Sequence, residues 1–144
     1  MRQEYNDGGR QAAGYRGYTR DCVCRAIAIA TGKPYQEVYD AINILGKDER
    51  ITQKRQRIRS SARGGVNRKT YDRYLKSLGW EWVATMGIGT GCKVHLADGE
   101  LPMGRLIVRL SRHIVAVIDG VIHDTGNPAR GGTRCVYGYY RRAS

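Results

Sequence analysis

A chain of 144 residues is long enough to bury its own core and most simply forms one domain. Its makeup, 41% apolar and 26% charged, is that of a globular protein, and the lack of any apolar run near 18 residues excludes a membrane-spanning helix. The net charge of +12 suits an acidic protein, an acidic substrate or nucleic acid as partner, and no membrane.

The first stretch, Met1 to Tyr18, is rich in Gly, Arg and Gln with spaced tyrosines. It is expected to be an irregular basic arm (1–18) ahead of a single domain (19–144), partly ordered by Tyr15 and Tyr18. It has no apolar stretch of the secretory kind, so the expectation is a cytoplasmic protein with reduced thiols. The four cysteines (Cys22, Cys24, Cys92, Cys135) then form no disulfide framework. Their spacing also lacks the paired knuckles of a structural zinc site, so neither metal nor cofactor is expected.

A helix is predicted from Cys22 to Thr31, capped by Thr19 or Asp21, with Val23, Ala26, Ile27 and Ala30 as its core stripe and Gly32 as its stop. Pro34 opens a second helix over YQEVYDAINIL, with Val38, Ile42 and Leu45 inward and Gly46 at its end. The stretch from Lys47 to Gly65 has weak periodicity and reads as a mobile surface segment. Asn67 is placed to cap a third helix, RKTYDRYLKSL, whose Tyr71, Tyr74, Leu75 and Leu78 face inward before Gly79. From Trp80 onward the period changes to two. Strands are predicted at WEWVATM, CKVHL, RLIVRL, HIVAVI, VIHDT and RCVYGYY. Helices followed by an antiparallel sheet define an α+β domain.

Trp80 and Trp82 share one strand face, where core packing is the simplest reading. Gly87, Gly89 and Gly91 are spaced like a nucleotide loop, but no helix follows and no P-loop lysine is present.

The chemistry concentrates in two places. HIVAVI and VIHDT are joined by Asp119-Gly120, the pairing that a two-residue type I′ turn requires. Counting outward, Ile118 faces Val121, Val117 faces Ile122, Ala116 faces His123 and Val115 faces Asp124. His113, Val115 and Asp124 therefore share a face, and His123 points the other way. His113 and Asp124 become diagonal neighbours roughly 7–8 Å apart at the backbone, within reach of an imidazole and a carboxylate.

The second place is Cys22, at the start of the first helix. The partial positive charge and free N–H groups there favour a thiolate, and a neighbouring imidazolium favours it further. Such surroundings bring a thiol from about 8.5 into the range of roughly 3.5–7.5. The same N–H groups can receive the oxyanion formed when sulfur attacks a carbonyl. Cys24 lies deeper and reads as packing.

The basic segment Lys47 to Lys76, with KRQRIR at its heart, could track phosphates or an acidic surface. No aromatic side chains interleave KRQRIRSSARGG to stack bases.

At these residues the chain resembles the papain-like cysteine peptidase fold in its compact bacterial and phage style. The resemblance runs from about Thr19 to Tyr140 and is sharpest at Asp21-Cys22, His113 and Asp124. The chain is also similar to uncharacterised phage and bacterial proteins that share segments like DCxxRAI, SRHxxAVIDGVIHD and RCVYGYY. The resemblance implies Cys22 as nucleophile, His113 as general base and then acid, and Asp124 as orienter. The family usually has a glutamine a few residues before the cysteine to complete the oxyanion hole. Here Arg16 stands six residues before, the nearest glutamine is Gln11, and Thr19 is the closer hydroxyl and the oxyanion candidate.

The expectation is therefore a thiol hydrolase acting on a protein or peptide amide through Cys22, His113 and Asp124. The rival expectation is a non-enzymatic basic binder of nucleic acid or an acidic protein, built on the same scaffold.

Overall fold

The structure, a computed structural model, describes residues 1–50 and 58–143. Most of the KRQRIR run therefore lies outside the described residues. Among those described, three helices pack with one six-stranded sheet, an α+β arrangement. The elements in chain order are β1 (Gln3–Tyr5), α1 (Cys22–Thr31), α2 (Tyr35–Lys47), α3 (Arg68–Ser77), β2 (Trp80–Ala84), β3 (Arg105–Leu110), β4 (His113–Ile118), β5 (Val121–Asp124) and β6 (Gly138–Arg142). No helix among them is long and apolar enough to cross a membrane.

The strands lie in the order β1-β5-β4-β3-β6-β2. The pairs from β5 to β2 are antiparallel, as alternation and short turns imply. The β4–β5 register pairs Ile118 with Val121, Val117 with Ile122 and Ala116 with His123. Asp119 and Gly120 both adopt positive φ, 48° and 77°, as a type I′ turn demands.

RLIVRL and HIVAVI are nearly continuous apolar runs because the sheet is covered on both faces. Ile107, Ile114, Ala116 and Tyr140 pack with the helices. Leu106, Val108, Leu110, Val115, Val117, Ile122 and Tyr139 form a second cluster with Leu96, Ala129 and Val136. Helix α1 is buried at Val23, Cys24, Ala26, Ile27, Ala28 and Ala30, more than one stripe, because it lies between the sheet and α2. Trp80 and Trp82 both belong to the helix-side core, and Trp82 packs 4.9 Å from the ring of Tyr140.

Several expectations need correction. First, the arm over 1–18 is not irregular throughout: Gln3–Tyr5 pairs in parallel with β5, through Gln3–Ile122, Glu4–His123 and Tyr5–Asp124. Tyr15 stacks 4.5 Å from Tyr39 and donates a 2.7 Å hydrogen bond to Gln36, whereas Tyr18 is exposed. The sheet is thus mixed rather than purely antiparallel.

Second, CKVHL forms no named strand and contributes only a single bridge between His95 and Cys135. Third, Cys92 and Cys135 are joined in a disulfide with Cα atoms 5.8 Å apart, so the four thiols are not all free. Fourth, α2 runs through Gly46 to Lys47. Gly46 is required by packing rather than by helix termination: a Cβ there would overlap the backbone carbonyl of Ser60.

The flanks of the basic segment are anchored. Glu49 accepts hydrogen bonds from the Ser60 backbone N–H (2.6 Å), the Asn67 side chain (3.1 Å) and the hydroxyls of Ser60 and Thr70. Asn67 precedes α3 as expected, yet its side chain serves Glu49 and the Ile58 carbonyl instead of capping the helix.

Candidate active site

The site forms where the first turn of α1 meets the open end of the β4–β5 ribbon. His113 opens β4 and Asp124 closes β5, and His113 Nε2 lies 2.8 Å from Asp124 Oδ2. Asp124 also accepts a 2.7 Å bond from the Thr125 N–H. Nε2 is bound to Asp124, which leaves Nδ1 as the free ring nitrogen, and His113 and Ile114 line the same cleft as Cys22. Val115 and Ile122, which share strand parity with His113 and Asp124, pack in the cluster away from α1. His113 and Asp124 reach α1 because both stand at strand ends.

The electrostatics favour an ion pair. Burial alone raises the Cys22 thiol, but His113 outweighs it, helped by the Ile114 N–H and Arg25, and the thiol sits below its ordinary 9.0. Burial alone lowers the His113 imidazole, but the Asp124 hydrogen bond and Cys22 together push it up to about 9. Burial raises Asp124, and the His113 bond overrides it, so the carboxyl lies below its ordinary value. The His113 imidazolium stabilises both the Cys22 thiolate and the Asp124 carboxylate.

Sequence reasoning did not single out Arg25, which ties this row to a second carboxylate. Its Nη2 is 3.0 Å from Asp124 Oδ1, and its Nη1 bonds Asp21, one helical turn back. Asp21 is fully buried and also accepts a 2.7 Å bond from the Tyr35 hydroxyl. Arg10 stands 3.8 Å away on its other side. The i,i+4 spacing of Asp21 and Arg25 was the available signal. Its partner Asp124, 99 residues later, was not legible from local spacing.

This network explains a missing cap. Neither Thr19 nor Asp21 caps α1, because Asp21 turns inward to Arg25 and Tyr35. The N–H groups of the first turn are left without a side-chain partner, beside the Cys22 sulfur. Thr19 lines the cleft around Cys22, but its hydroxyl lies 3.4 Å from the Arg63 carbonyl and donates there. Arg63 also donates to the carbonyls of Arg16 (3.1 Å) and Tyr18 (3.1 Å), strapping this segment along the cleft.

Cys24 is fully buried, and desolvation pushes its thiol up to about 12. Cys22 is therefore the one free cysteine that both touches the cleft and is poised to ionise. The cleft encloses about 750 Å³ between Thr19–Arg25, Gly64–Arg68, Tyr71 and the β3–β4 turn. Among the described residues no group of three or more His, Cys, Asp or Glu side chains is gathered as a metal set.

No protein-family model, curated protein or solved structure matches this chain in searches of each.

Proposed function

We propose that this chain is a papain-like thiol hydrolase that cleaves an amide, as a peptidase or isopeptidase, through Cys22, His113 and Asp124. The observation that carries the reading is the position of His113, held by Asp124 through Nε2 and lining the same cleft as Cys22. Three residues from two distant parts of the chain meet with their charges mutually matched, which a structural cysteine does not need.

In the first half-reaction the Cys22 thiolate bonds to the substrate carbonyl carbon. The carbonyl oxygen takes the electron pair and is received by the uncapped N–H groups of the α1 first turn. The C–N bond then breaks, and the His113 imidazolium gives its proton to the departing amine. In the second half-reaction neutral His113 takes a proton from water, whose oxygen attacks the thioester. The C–S bond breaks, the acid leaves, and the thiolate–imidazolium pair is restored. Asp124 keeps the ring oriented throughout and stabilises its charged form. Thr19 is the expected oxyanion donor, but its hydroxyl is engaged with Arg63, so the backbone amides take that role here.

An active-ester substrate tests the chemistry without knowledge of the natural one. With p-nitrophenyl acetate, the protein is expected to release a burst of p-nitrophenolate equal to the protein present. The acetyl group should be found on Cys22, and Cys22→Ser should abolish the burst. A burst that survives in Cys22→Ser overturns the proposal.

A further inference from the structure

Beside the nucleophile's cleft lies a second pocket of about 460 Å³, walled by Ser111, Arg112, His113, Arg130 and Arg134. It shares Arg112 and His113 with the cleft but does not include Cys22. Three guanidinium groups line a space with no acidic side chain in its wall. None of the three is paired with a carboxylate among the described residues. Arg134 is fixed in place: its Nη1 and Nη2 donate to the backbone carbonyls of Pro128 and Ser111, and its Nε is buried without a partner. Burial and the neighbouring Arg130 charge push its guanidinium downward, and Tyr137 and Asp124 offset them only in part.

Arg112 and Arg130 also hold a backbone conformation that arginine rarely adopts, with φ of 54° and 51°. Glycine would take this left-handed region freely, whereas a side chain there is strained. The chain thus carries two arginines at positions where backbone geometry favours glycine, on either side of the same pocket, next to the imidazole.

Resting on the thiol-hydrolase reading above, the geometry points to this pocket as the subsite for the leaving amine, and assigns it an amine that carries a carboxylate. The direction follows from the reaction. His113 must reach the departing nitrogen, so the amine half of the substrate lies on the histidine side, in the pocket that contains His113 and lacks Cys22. The charge follows from the wall: arginine forks complement a carboxylate, and partial desolvation strengthens that contact. An acidic peptide segment just after the scissile bond has both features. The pocket wall has no Phe, Tyr or Trp on which a base could stack, which disfavours a nucleic acid as its occupant. The cleft continues the theme, since Arg20, Arg68 and Arg109 line it as well.

The test uses alkylation of Cys22 by iodoacetamide as reporter and asks which small molecules slow it. The probes are the dipeptide aspartyl-aspartate, its neutral counterpart asparaginyl-asparagine amide, and a short oligothymidylate. Aspartyl-aspartate at millimolar concentration is expected to slow alkylation of the wild-type protein at least threefold, and the neutral dipeptide not to. In an Arg112→Gly/Arg130→Gly variant, which keeps the backbone conformation without strain, the half-protecting concentration of aspartyl-aspartate should rise at least tenfold. Arg112→Lys/Arg130→Lys should restore part of the protection.

Equal protection by both dipeptides, or an unchanged half-protecting concentration in the glycine variant, overturns the subsite. So does stronger protection by oligothymidylate, which would give the pocket to a nucleic-acid backbone. A Cys22 that iodoacetamide does not label at all defeats the hydrolase reading instead. The pocket is then judged by calorimetric titration of aspartyl-aspartate into both proteins, where indistinguishable heats overturn it.

Discussion

Replacing Asp124 by Asn removes one charge from the Cys22–His113–Asp124 row while keeping its shape. His113 stands at about 9 against an ordinary 6.5 even though burial opposes its charge, a difference worth roughly 3 kcal/mol. Two neighbours raise it, the Asp124 hydrogen bond first and Cys22 second. An opposite charge in direct contact shifts a group by about 1–3 pH units, so from about 9 His113 should fall to between about 6 and 8 without the carboxylate. Arg25 remains paired with Asp21, so the variant leaves no buried cation alone. A less protonated imidazole supports the thiolate less, so Cys22 should ionise at higher pH. Thiolate absorbance in the ultraviolet, followed against pH, reads this directly, because Cys24 is held up near about 12 and the other two cysteines are bonded. The NMR titration of the His113 ring supplies the second curve. If both midpoints in Asp124→Asn coincide with wild type, Asp124 does not act through His113 and the electrostatic account fails.

Further outcomes follow from packing and burial. Gly46→Ala should lower stability by about 1–3 kcal/mol despite the helix preference for alanine, because its methyl group meets the Ser60 carbonyl. A higher melting temperature would contradict that contact. Tyr35→Phe removes the 2.7 Å hydroxyl donor to fully buried Asp21 and should cost about 1–3 kcal/mol in urea unfolding. A neutral result would mean Asp21 is satisfied by Arg25 and Arg10 alone. On the acid side, Asp124 is held below its ordinary 3.8 by His113 despite burial, and Glu49 below 4.5 by Ser60, Thr70 and Asn67 despite burial. Both bind fewer protons folded than unfolded, so their contribution is whole above those ordinary values and disappears as pH falls through the folded ones. The urea midpoint should therefore drop steeply below about pH 4.5, and a midpoint flat down to pH 3 would contradict the assignment.

The parts of this molecule that follow local rules were legible in the sequence. Asp119-Gly120 fixed the turn, the turn fixed the register, and the register brought His113 and Asp124 to one end of the ribbon. Cys22 at the mouth of α1 was visible from its cap-and-stripe pattern, and Gly32 ends that helix in the left-handed region as read. What escaped was non-local. Gln3–Tyr5 is too short to show alternation, and its partner is 119 residues away. Gly46 resembled a helix stop, whereas its reason is a contact with Ser60. The Cys92–Cys135 bond depends on loops that no spacing rule brings together. Asp21 looked like a cap because its second partner, Arg25, gains its meaning only when Asp124 arrives from the sheet.

Selective alkylation tests the central pairing most directly. At about pH 6, where an ordinary thiol is almost wholly protonated, iodoacetamide should label Cys22 rapidly and leave Cys24 untouched, and His113→Ala should slow that labelling at least tenfold. A Cys22 as sluggish as a free thiol at that pH, or one equally reactive in His113→Ala, would contradict the thiolate–imidazolium pair.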